Sequence, residues 1–211
     1  MKPTYWDAAT VALGRGDPVL RRLMAAAPGA HLARRGDPFT TLARAIVGQQ
    51  ISVKAAQSIW DRFVAATGGG GQPVTLDPAR VGRVRMPTLR RAGLSERKAL
   101  YLRDLARHFA GGALDPRAWP ALDDETLIAR LTGVKGIGRW TAEMFLIFHE
   151  LRPDVFPVDD IGLQKAVALH YREGERMAPS ELRAFGARWS PYRSVATWYL
   201  WRSLDPIPVE Y

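Results

Sequence analysis

Apolar residues recur at helical spacing along most of the chain, and capping residues mark where the segments begin. After Asp37-Pro38, four apolar residues fall on one helical face: Phe39, Leu42, Ile46 and Val47. Gly48 ends that helix, and Ser52 is expected to cap the next, over residues 53–67. We find no convincing strand and no repeat at a fixed period, so the pattern predicts an almost entirely helical protein.

Further helices follow from the same signals. Asp17 is expected to cap a short helix at 18–24, and Asp-Pro, Ser and acidic residues open several of the later ones. Five positions of the predicted helix that begins near Ser95 are expected to be buried: Leu100, Leu102, Leu105, Ala106 and Phe109. The remaining predicted helices span about 78–85, 87–92, 123–131, 139–150 and 161–171, with two more that begin at 179 and 192.

Three glycines lie between two of these helices, in the sequence LTGVKGIGRW. Gly133, Gly136 and Gly138 allow a tight turn, and backbone N–H groups at a helix N-terminus bind anions. A dinucleotide fingerprint is excluded, because no strand precedes the turn and Thr141 stands where its third glycine belongs. The spacing alone fits a phosphate-binding hairpin or a plain connection between helices.

Two aspartates open the helix at 161–171, in FPVDDIGLQKAV. Asp159 or Asp160 can serve simply as the N-cap. Alternatively, one of them faces a cleft as an ionised carboxylate that stabilises positive charge on a sugar. The residues themselves do not decide between these readings or between the two aspartates.

Trp140 follows the glycines directly, with Met144 one helical turn further on. Aromatic residues at helical spacing usually pack in a core. A ring beside an anion site also suits stacking on a nucleic-acid base. Both interpretations stay open for Trp140 at this point.

Charge and composition narrow the function classes. The 211 residues carry a net charge of +9, and only 5 of the 30 Lys and Arg residues are lysines. Such a balance fits a polyanionic partner, although a genome rich in G and C also favours arginine. The absence of cysteine excludes disulfides, a catalytic thiol and a cysteine-ligated iron–sulfur cluster. Without a long apolar run or signal peptide, we expect a cytoplasmic protein, nucleoid-associated if bacterial, that binds no membrane.

Four motifs together resemble a known family. VKGIGRWTAEMF followed by FPVDD is similar to the helix-hairpin-helix DNA glycosylase superfamily. IVGQQISVKAA, GLSERKALYLRDLA and WSPYRSVATWYLWR resemble its DNA-3-methyladenine glycosylase II, or alkylpurine, branch. The resemblance implies an all-α fold of two helical lobes with a cleft between them. The expected domains are residues 1–38, packing with the C-terminal lobe, 39–152 with the hairpin, and 153–211 with the catalytic aspartate.

The resemblance also implies roles for individual residues. Asp160 would be catalytic, and Asp159 would cap or support it. Trp140, Met144 and Trp201 would line the base pocket, and the corner Gln49-Gln50-Ile51 would fill the gap left by the flipped nucleotide. Better-known members have leucine at the position of Gln50. The expected DNA contacts of the hairpin come from Lys135, Gly136, Gly138, Arg139 and Thr141.

Trp140 stands where glycosylase–lyases carry a nucleophilic lysine, so the resemblance implies a monofunctional enzyme. It would flip alkylated purines out of double-stranded DNA and hydrolyse the N-glycosidic bond as a monomer, leaving an abasic site. No cofactor or iron–sulfur cluster is expected, although the carbonyls of Thr132, Val134 and Ile137 could hold a Na⁺, K⁺ or Mg²⁺ ion. The alternatives are a glycosylase for deaminated, etheno or oxidised bases and a non-catalytic DNA-binding module.

Overall fold

The regular elements of the protein are helices, as the sequence predicts. The computed structural model describes residues 2–34, 36–71 and 73–204, and within them it contains no strand, only an isolated bridge between Gly70 and Thr75. The prediction of an all-α fold is confirmed. The chain divides into a contiguous unit, residues 36–145, and a split unit, which combines residues 2–34 with 146–204. The domain boundaries expected after residues 38 and 152 stay a prediction.

The contiguous unit is built from helices with clear start signals. Asp37, Ser52, Asp77, Ser95 and Asp123 each cap a helix by accepting a backbone N–H bond in its first turn. Its α-helices are α3 (Pro38–Gly48), α4 (Val53–Thr67), α5 (Pro78–Arg83), α6 (Met86–Arg91), α7 (Glu96–Ala110), α8 (Asp124–Thr132) and α9 (Arg139–Phe148), whose last three residues belong to the split unit. A 3-10 helix spans Pro116–Ala121.

Helix α7 is the centre of the contiguous unit, because α3, α5 and α6 all pack against it. Leu102, Leu105 and Ala106 are buried as expected. The burial expected for Leu100 is wrong, since 48% of that side chain is exposed and Ala99 takes the buried position instead. The buried face of α7 also carries a charged residue, Asp104, which apolar periodicity does not reveal.

The split unit joins the two ends of the described chain. Its helices are α1 (Trp6–Gly16), α2 (Pro18–Ala25), α10 (Ile161–Tyr171), α11 (Pro179–Gly186) and α12 (Arg193–Leu204), with a short 3-10 helix at Ala187–Trp189. Helices α1, α2 and α10 pack against α12. Helix α1 was not predicted, although Trp6, Ala9 and Leu13 form its buried stripe.

A buried carboxylate connects the ends of the split unit. Asp17 caps α2 through the N–H groups of Val19 and Leu20. Its other oxygen accepts hydrogen bonds from the Tyr171 hydroxyl at 2.8 Å and the Trp189 indole at 2.9 Å. Four donors among the described residues therefore satisfy this buried carboxyl group.

Candidate active site

The glycine hairpin occupies residues 133–138, between α8 and α9 of the contiguous unit. Its turn is closed by a hydrogen bond of 3.1 Å from the Ile137 N–H to the Val134 carbonyl. Gly136 has a φ of +86°, and a Cβ there would collide with the ring of Tyr101 on α7. Glycine is therefore required at this position for two reasons, the backbone conformation and the close approach of an aromatic ring.

Asp104 of α7 binds the backbone of the hairpin. Its carboxylate accepts the backbone N–H of Lys135 at 2.9 Å, so that N–H is engaged inside the protein. Burial raises the pKa of Asp104, but the Lys135 hydrogen bond and the charges of His108 and Arg107 outweigh it, and the net pKa lies below the ordinary value. Asp104 is thus a carboxylate held in its charged form.

Arg139, the first residue of α9, is held between two carboxylates of the same unit. Its guanidinium donates to Glu143 at 3.0 Å and to Glu125 at 2.9 Å. The hydrogen bond with Glu125 is the main reason that the pKa of Arg139 is raised further. The contact with DNA expected for Arg139 stays a prediction, and the two carboxylates would reduce its net attraction for phosphate.

The corner between α3 and α4 is connected to the same hairpin. The Gln49 side-chain amide donates to the Gly136 carbonyl at 2.9 Å. The Lys98 ammonium, from the first turn of α7, donates to the carbonyls of Val47 at 2.8 Å and Gln49 at 2.6 Å. Gln50 and Ile51, at the tip of the corner, remain exposed to solvent. Two motifs whose contacting residues, Gln49 and Gly136, lie 87 positions apart in the sequence are therefore joined in the contiguous unit.

The aspartate pair lies in the split unit. Asp160 is the N-cap of α10, and its Oδ1 accepts the Leu163 N–H at 2.6 Å. The same oxygen accepts the indole N–H of Trp201 at 2.7 Å. Asp159, one residue earlier, is exposed. The capping function implied for Asp159 by the resemblance is therefore wrong, because Asp160 is the cap; a supporting role of Asp159 stays a prediction.

Trp201 is itself held by its surroundings in the split unit. Its ring stacks on Phe148, with centroids 5.6 Å apart and planes inclined by 13°. Gly162, in the first turn of α10, permits its close approach, because a Cβ there would lie 3.1 Å from the Asp160 Oδ1 and 3.2 Å from the Trp201 Cδ1. Stacking, hydrogen bonding and a missing side chain together fix the indole against the carboxylate.

The segment before Asp160 is anchored to the start of α12. Asp154 receives the Arg193 guanidinium, at 2.8 and 2.9 Å, and the Ser190 hydroxyl at 2.8 Å. The Ser194 hydroxyl accepts the Val155 N–H at 2.9 Å. Since Trp201 lies on the same helix, α12 holds this segment at both of its ends. The Leu163 contact of Asp160 is that of an ordinary N-cap, and the Trp201 hydrogen bond is the contact that capping does not require.

The aromatic residues differ in burial. Trp189 and Trp198 are core residues with 1% and 7% exposure, whereas 38% of Trp140 is exposed at the start of α9. Met144, one turn along, is buried. The joint contribution of Trp140, Met144 and Trp201 to a base pocket stays a prediction, and so do the DNA contacts of Lys135, Gly138 and Thr141.

Comparison with protein families gives one decisive match. Residues 43–191, which include the corner, the hairpin and the aspartate pair, match the model described as "HhH-GPD superfamily base excision DNA repair protein". The chain belongs to this superfamily. The resemblance carried by the motifs is therefore confirmed at the level of the HhH-GPD superfamily, over most of the chain.

Relatives of the HhH-GPD chain include proteins named as DNA-3-methyladenine glycosylases. It is 34% identical over 172 residues to DNA-3-methyladenine glycosylase 1 of Schizosaccharomyces pombe, covering 79% of this chain and 72% of that protein. It is also 34% identical over 169 residues to a putative DNA-3-methyladenine glycosylase of Bacillus subtilis, covering 79% of this chain. The match spans only 59% of the length of the Bacillus subtilis protein.

Solved structures agree with these relatives. A DNA-3-methyladenine glycosidase from Bacillus halodurans has a TM-score of 0.83 at 36% identity, covering 95% of this chain and 90% of that one. The 3-methyladenine DNA glycosylase of Schizosaccharomyces pombe in complex with abasic DNA has a TM-score of 0.79 at 30% identity, covering 93% and 96%. The fold of this HhH-GPD protein is thus that of DNA-3-methyladenine glycosylases.

Four residues of the candidate site were not predicted from the sequence: Lys98, Tyr101, Asp104 and Gly162. The first three lie in GLSERKALYLRDLA, which resembled the family without suggesting what each residue contacts. A charged residue on the buried face of a helix was the available signal for Asp104. Gly162, a helix-disfavouring residue in the first turn of α10, was a similar signal.

The described residues contain neither a metal-binding cluster nor a membrane-spanning helix. Among them, no group of three or more His, Asp or Glu side chains is placed to hold a metal ion. None of the helices in residues 2–34, 36–71 and 73–204 combines the length and hydropathy needed to cross a bilayer.

Proposed function

We propose that the protein is a monofunctional DNA glycosylase that removes alkylated purines, of the 3-methyladenine and 7-methylguanine type, from double-stranded DNA. The observation that carries the proposal is the Asp160 carboxylate, which is held by the Leu163 N–H and the Trp201 indole. Membership of a base excision repair superfamily and relatives that are named 3-methyladenine glycosylases support this choice of substrate. Location in the cytoplasm and a monomeric state belong to the same proposal.

The hairpin and the corner would act before the chemical step. Backbone N–H groups near Gly138, at the N-terminus of α9, would hold a phosphate of the DNA backbone. The exposed tip at Gln50 and Ile51 would occupy the space of the extruded nucleotide. The net charge of +9 provides a further attraction for DNA that weakens as salt concentration rises.

The carboxylate would act on the sugar. Alkylation makes the purine positively charged and hence a better leaving group, and the C1′ carbon gains positive character as the glycosidic bond breaks. Asp160 would stabilise that charge in a fixed position, and water would then complete the hydrolysis to an abasic site. Trp140 occupies the position at which a lyase of this superfamily carries its lysine, which supports hydrolysis without a Schiff base.

The hairpin and the residue before it also contain backbone carbonyl oxygens that could be ligands of a cation. The carbonyl oxygens of Thr132, Val134 and Ile137 are hard ligands of the kind that Na⁺, K⁺ and Mg²⁺ prefer. The Val134 carbonyl already accepts the Ile137 N–H and retains a second lone pair. A bound ion would add positive charge for a DNA phosphate, and no organic cofactor is part of the proposal.

The decisive experiment replaces Asp160 by Asn. An asparagine oxygen can still accept both hydrogen bonds and cap α10, so the fold should persist while the charge is lost. We expect release of methylated purine to fall by about 100- to 1,000-fold or more. Affinity for DNA should be unchanged or tighter, because a negative charge near the phosphates is removed.

The comparison variant is Asp159→Asn, which removes the same charge at the exposed neighbouring residue and, in a supporting role, should lower excision much less than Asp160→Asn. Each variant is tested on duplexes that carry a single methylated, deaminated, etheno or oxidised base. Wild-type excision by the Asp160→Asn variant would refute the assigned role. Excision of only the non-alkylated lesions by the wild type would overturn the substrate, and no excision of any lesion would favour a binding module.

A further inference from the structure

Gln50, at the tip of the corner, has an unusual backbone conformation. Its φ is +57°, in the left-handed region that residues other than glycine rarely adopt. The side chain is nevertheless exposed, so burial of Gln50 does not stabilise this conformation. A non-glycine residue remains in this region only when the surrounding structure holds it there.

Contacts on both sides of Gln50 provide that support. Before it, the Gln49 carbonyl accepts a hydrogen bond of 2.6 Å from the Lys98 ammonium, and the Gln49 side chain donates to Gly136. After it, Ser52 caps α4 by accepting the Ala55 N–H. The tip therefore connects two residues, Gln49 and Ser52, that are each held by hydrogen bonds.

Lys98 belongs to the helix that also holds the hairpin. Tyr101 lies against Gly136, and Asp104 binds the Lys135 N–H. Lys98 and Asp104 are six residues apart, which corresponds to about 9 Å along a helix. Helix α7 thus holds the corner with its first turn and the hairpin with its second and third.

A simpler role for Lys98 would be to satisfy the last carbonyls of α3. The Val47 contact fits that role, but the Gln49 carbonyl lies beyond the last residue of α3. Burial also lowers the pKa of Lys98, because the ammonium has lost part of its hydration. A water molecule could satisfy the same carbonyls without that cost. What the second hydrogen bond adds is a defined position for an exposed tip.

We propose that Lys98 is a positioning residue for nucleotide extrusion, which holds Gln50 ready to enter the duplex and, through Gln49, aligns it with the phosphate-binding hairpin. This inference rests on the proposed function. It assigns Lys98 to the flipping step and not to the first, charge-driven encounter with DNA.

The test measures flipping separately from excision. The probe is a duplex with 7-methylguanine on a 2′-fluoroarabinose, whose glycosidic bond resists cleavage, and with 2-aminopurine beside it, whose fluorescence rises when the methylated base leaves the stack. Lys98→Met keeps the length of the side chain and removes the ammonium. We expect the fluorescence amplitude at saturating protein, and the single-turnover excision rate, to fall about 10-fold, because a hydrogen bond from a charged donor is lost. Lys98→Gln, which retains one donor, should give an intermediate value and serves if the Met variant does not fold.

Lys54→Met is the matched control, since it removes an exposed charge from the first turn of α4 beside the same corner. It should weaken affinity for DNA a few-fold at low salt and leave the saturated fluorescence and rate unchanged. If Lys98→Met behaves like this control, Lys98 contributes only charge and the proposal is overturned.

A double-mutant cycle with Gln50→Ala tests whether Lys98 acts through the tip. Once the tip side chain is removed, Lys98→Met should lower the fluorescence amplitude by less than two-fold further. Independent, additive losses would overturn the proposal. Because the uncleavable probe reports flipping alone, a wild type that gives the fluorescence change without excising any lesion contradicts the proposed function alone.

Discussion

Replacement of Gly162 by Ala should separate activity from stability. A Cβ at this position would lie 3.1 Å from the Asp160 Oδ1, 3.2 Å from the Trp201 Cδ1 and 3.3 Å from the Trp201 Nε1. Carbon atoms prefer separations of about 3.5–4.0 Å, so the indole should retreat by about 0.3–0.5 Å. Its hydrogen bond to Asp160, now 2.7 Å, would stretch towards the long end of the normal range.

The size of the effect on catalysis follows from that displacement. A misplacement of about 1 Å in an active site can lower the rate about 100-fold, so 0.3–0.5 Å corresponds to roughly 4- to 10-fold. Stability should hardly change, because alanine favours the helix by up to about 1 kcal/mol over glycine and offsets the tight contact. We therefore expect a slower enzyme with a melting temperature within about 3 °C of the wild type.

The assay is single-turnover excision from a duplex with one 7-methylguanine, paired with thermal unfolding of each variant. Trp201→Phe provides the matched background, since the smaller ring leaves room for the added methyl group and has no N–H to misplace. In that background Gly162→Ala should cost less than two-fold. A wild-type rate for Gly162→Ala, or an equal loss in both backgrounds, would refute the idea that the indole positions the carboxylate.

Two further predictions concern the hairpin. Gly136→Ala combines a positive φ with a collision against Tyr101, and it should lower the free energy of unfolding by about 2–5 kcal/mol in chemical denaturation. Gly138→Ala is the control, because a Cβ there meets open space, and it should change the free energy of unfolding by no more than about 0.5 kcal/mol. Equal losses in the two variants would contradict this prediction. Asp104, whose pKa is lowered on folding, should add stability that is present at neutral pH and disappears as the pH falls below its ordinary value of 3.8 towards the lower folded value. Asp104→Asn should flatten that part of the pH–stability curve, and an unchanged curve would show that the Lys135 contact is not responsible.

Local signals explain why many helix boundaries could be predicted. Helix α4 spans the predicted 53–67, because Ser52 caps it and Gly68 ends it in the left-handed conformation. Helix α10 likewise has its predicted bounds. By contrast, α9 ends at Phe148, two residues before the prediction, since apolar periodicity marks a face more clearly than an end.

The site was harder to predict because its contacts join distant segments. The sequence around Gly136 does not predict its contact with the ring of Tyr101, and the sequence around Gln49 does not predict its contact with the ammonium of Lys98. The exposed Leu100 shows the same limit, since its apolar character matched the buried face while the packing of α7 selected Ala99. Tertiary contacts decided these positions, and a single sequence records them only as residue types.

The split unit has a consequence for the order in which the protein can be assembled during synthesis. Residues 36–145 are contiguous, so that unit can close while later residues are still on the ribosome. Helices α1 and α2 emerge before α12, on which they pack, and the Asp17 carboxyl group meets its Tyr171 and Trp189 donors only when residues 154 and 172 positions downstream have been made. Until α12 is made, Trp6 and Leu20 lack the packing that buries them in the folded protein, so we expect this segment to be prone to aggregation.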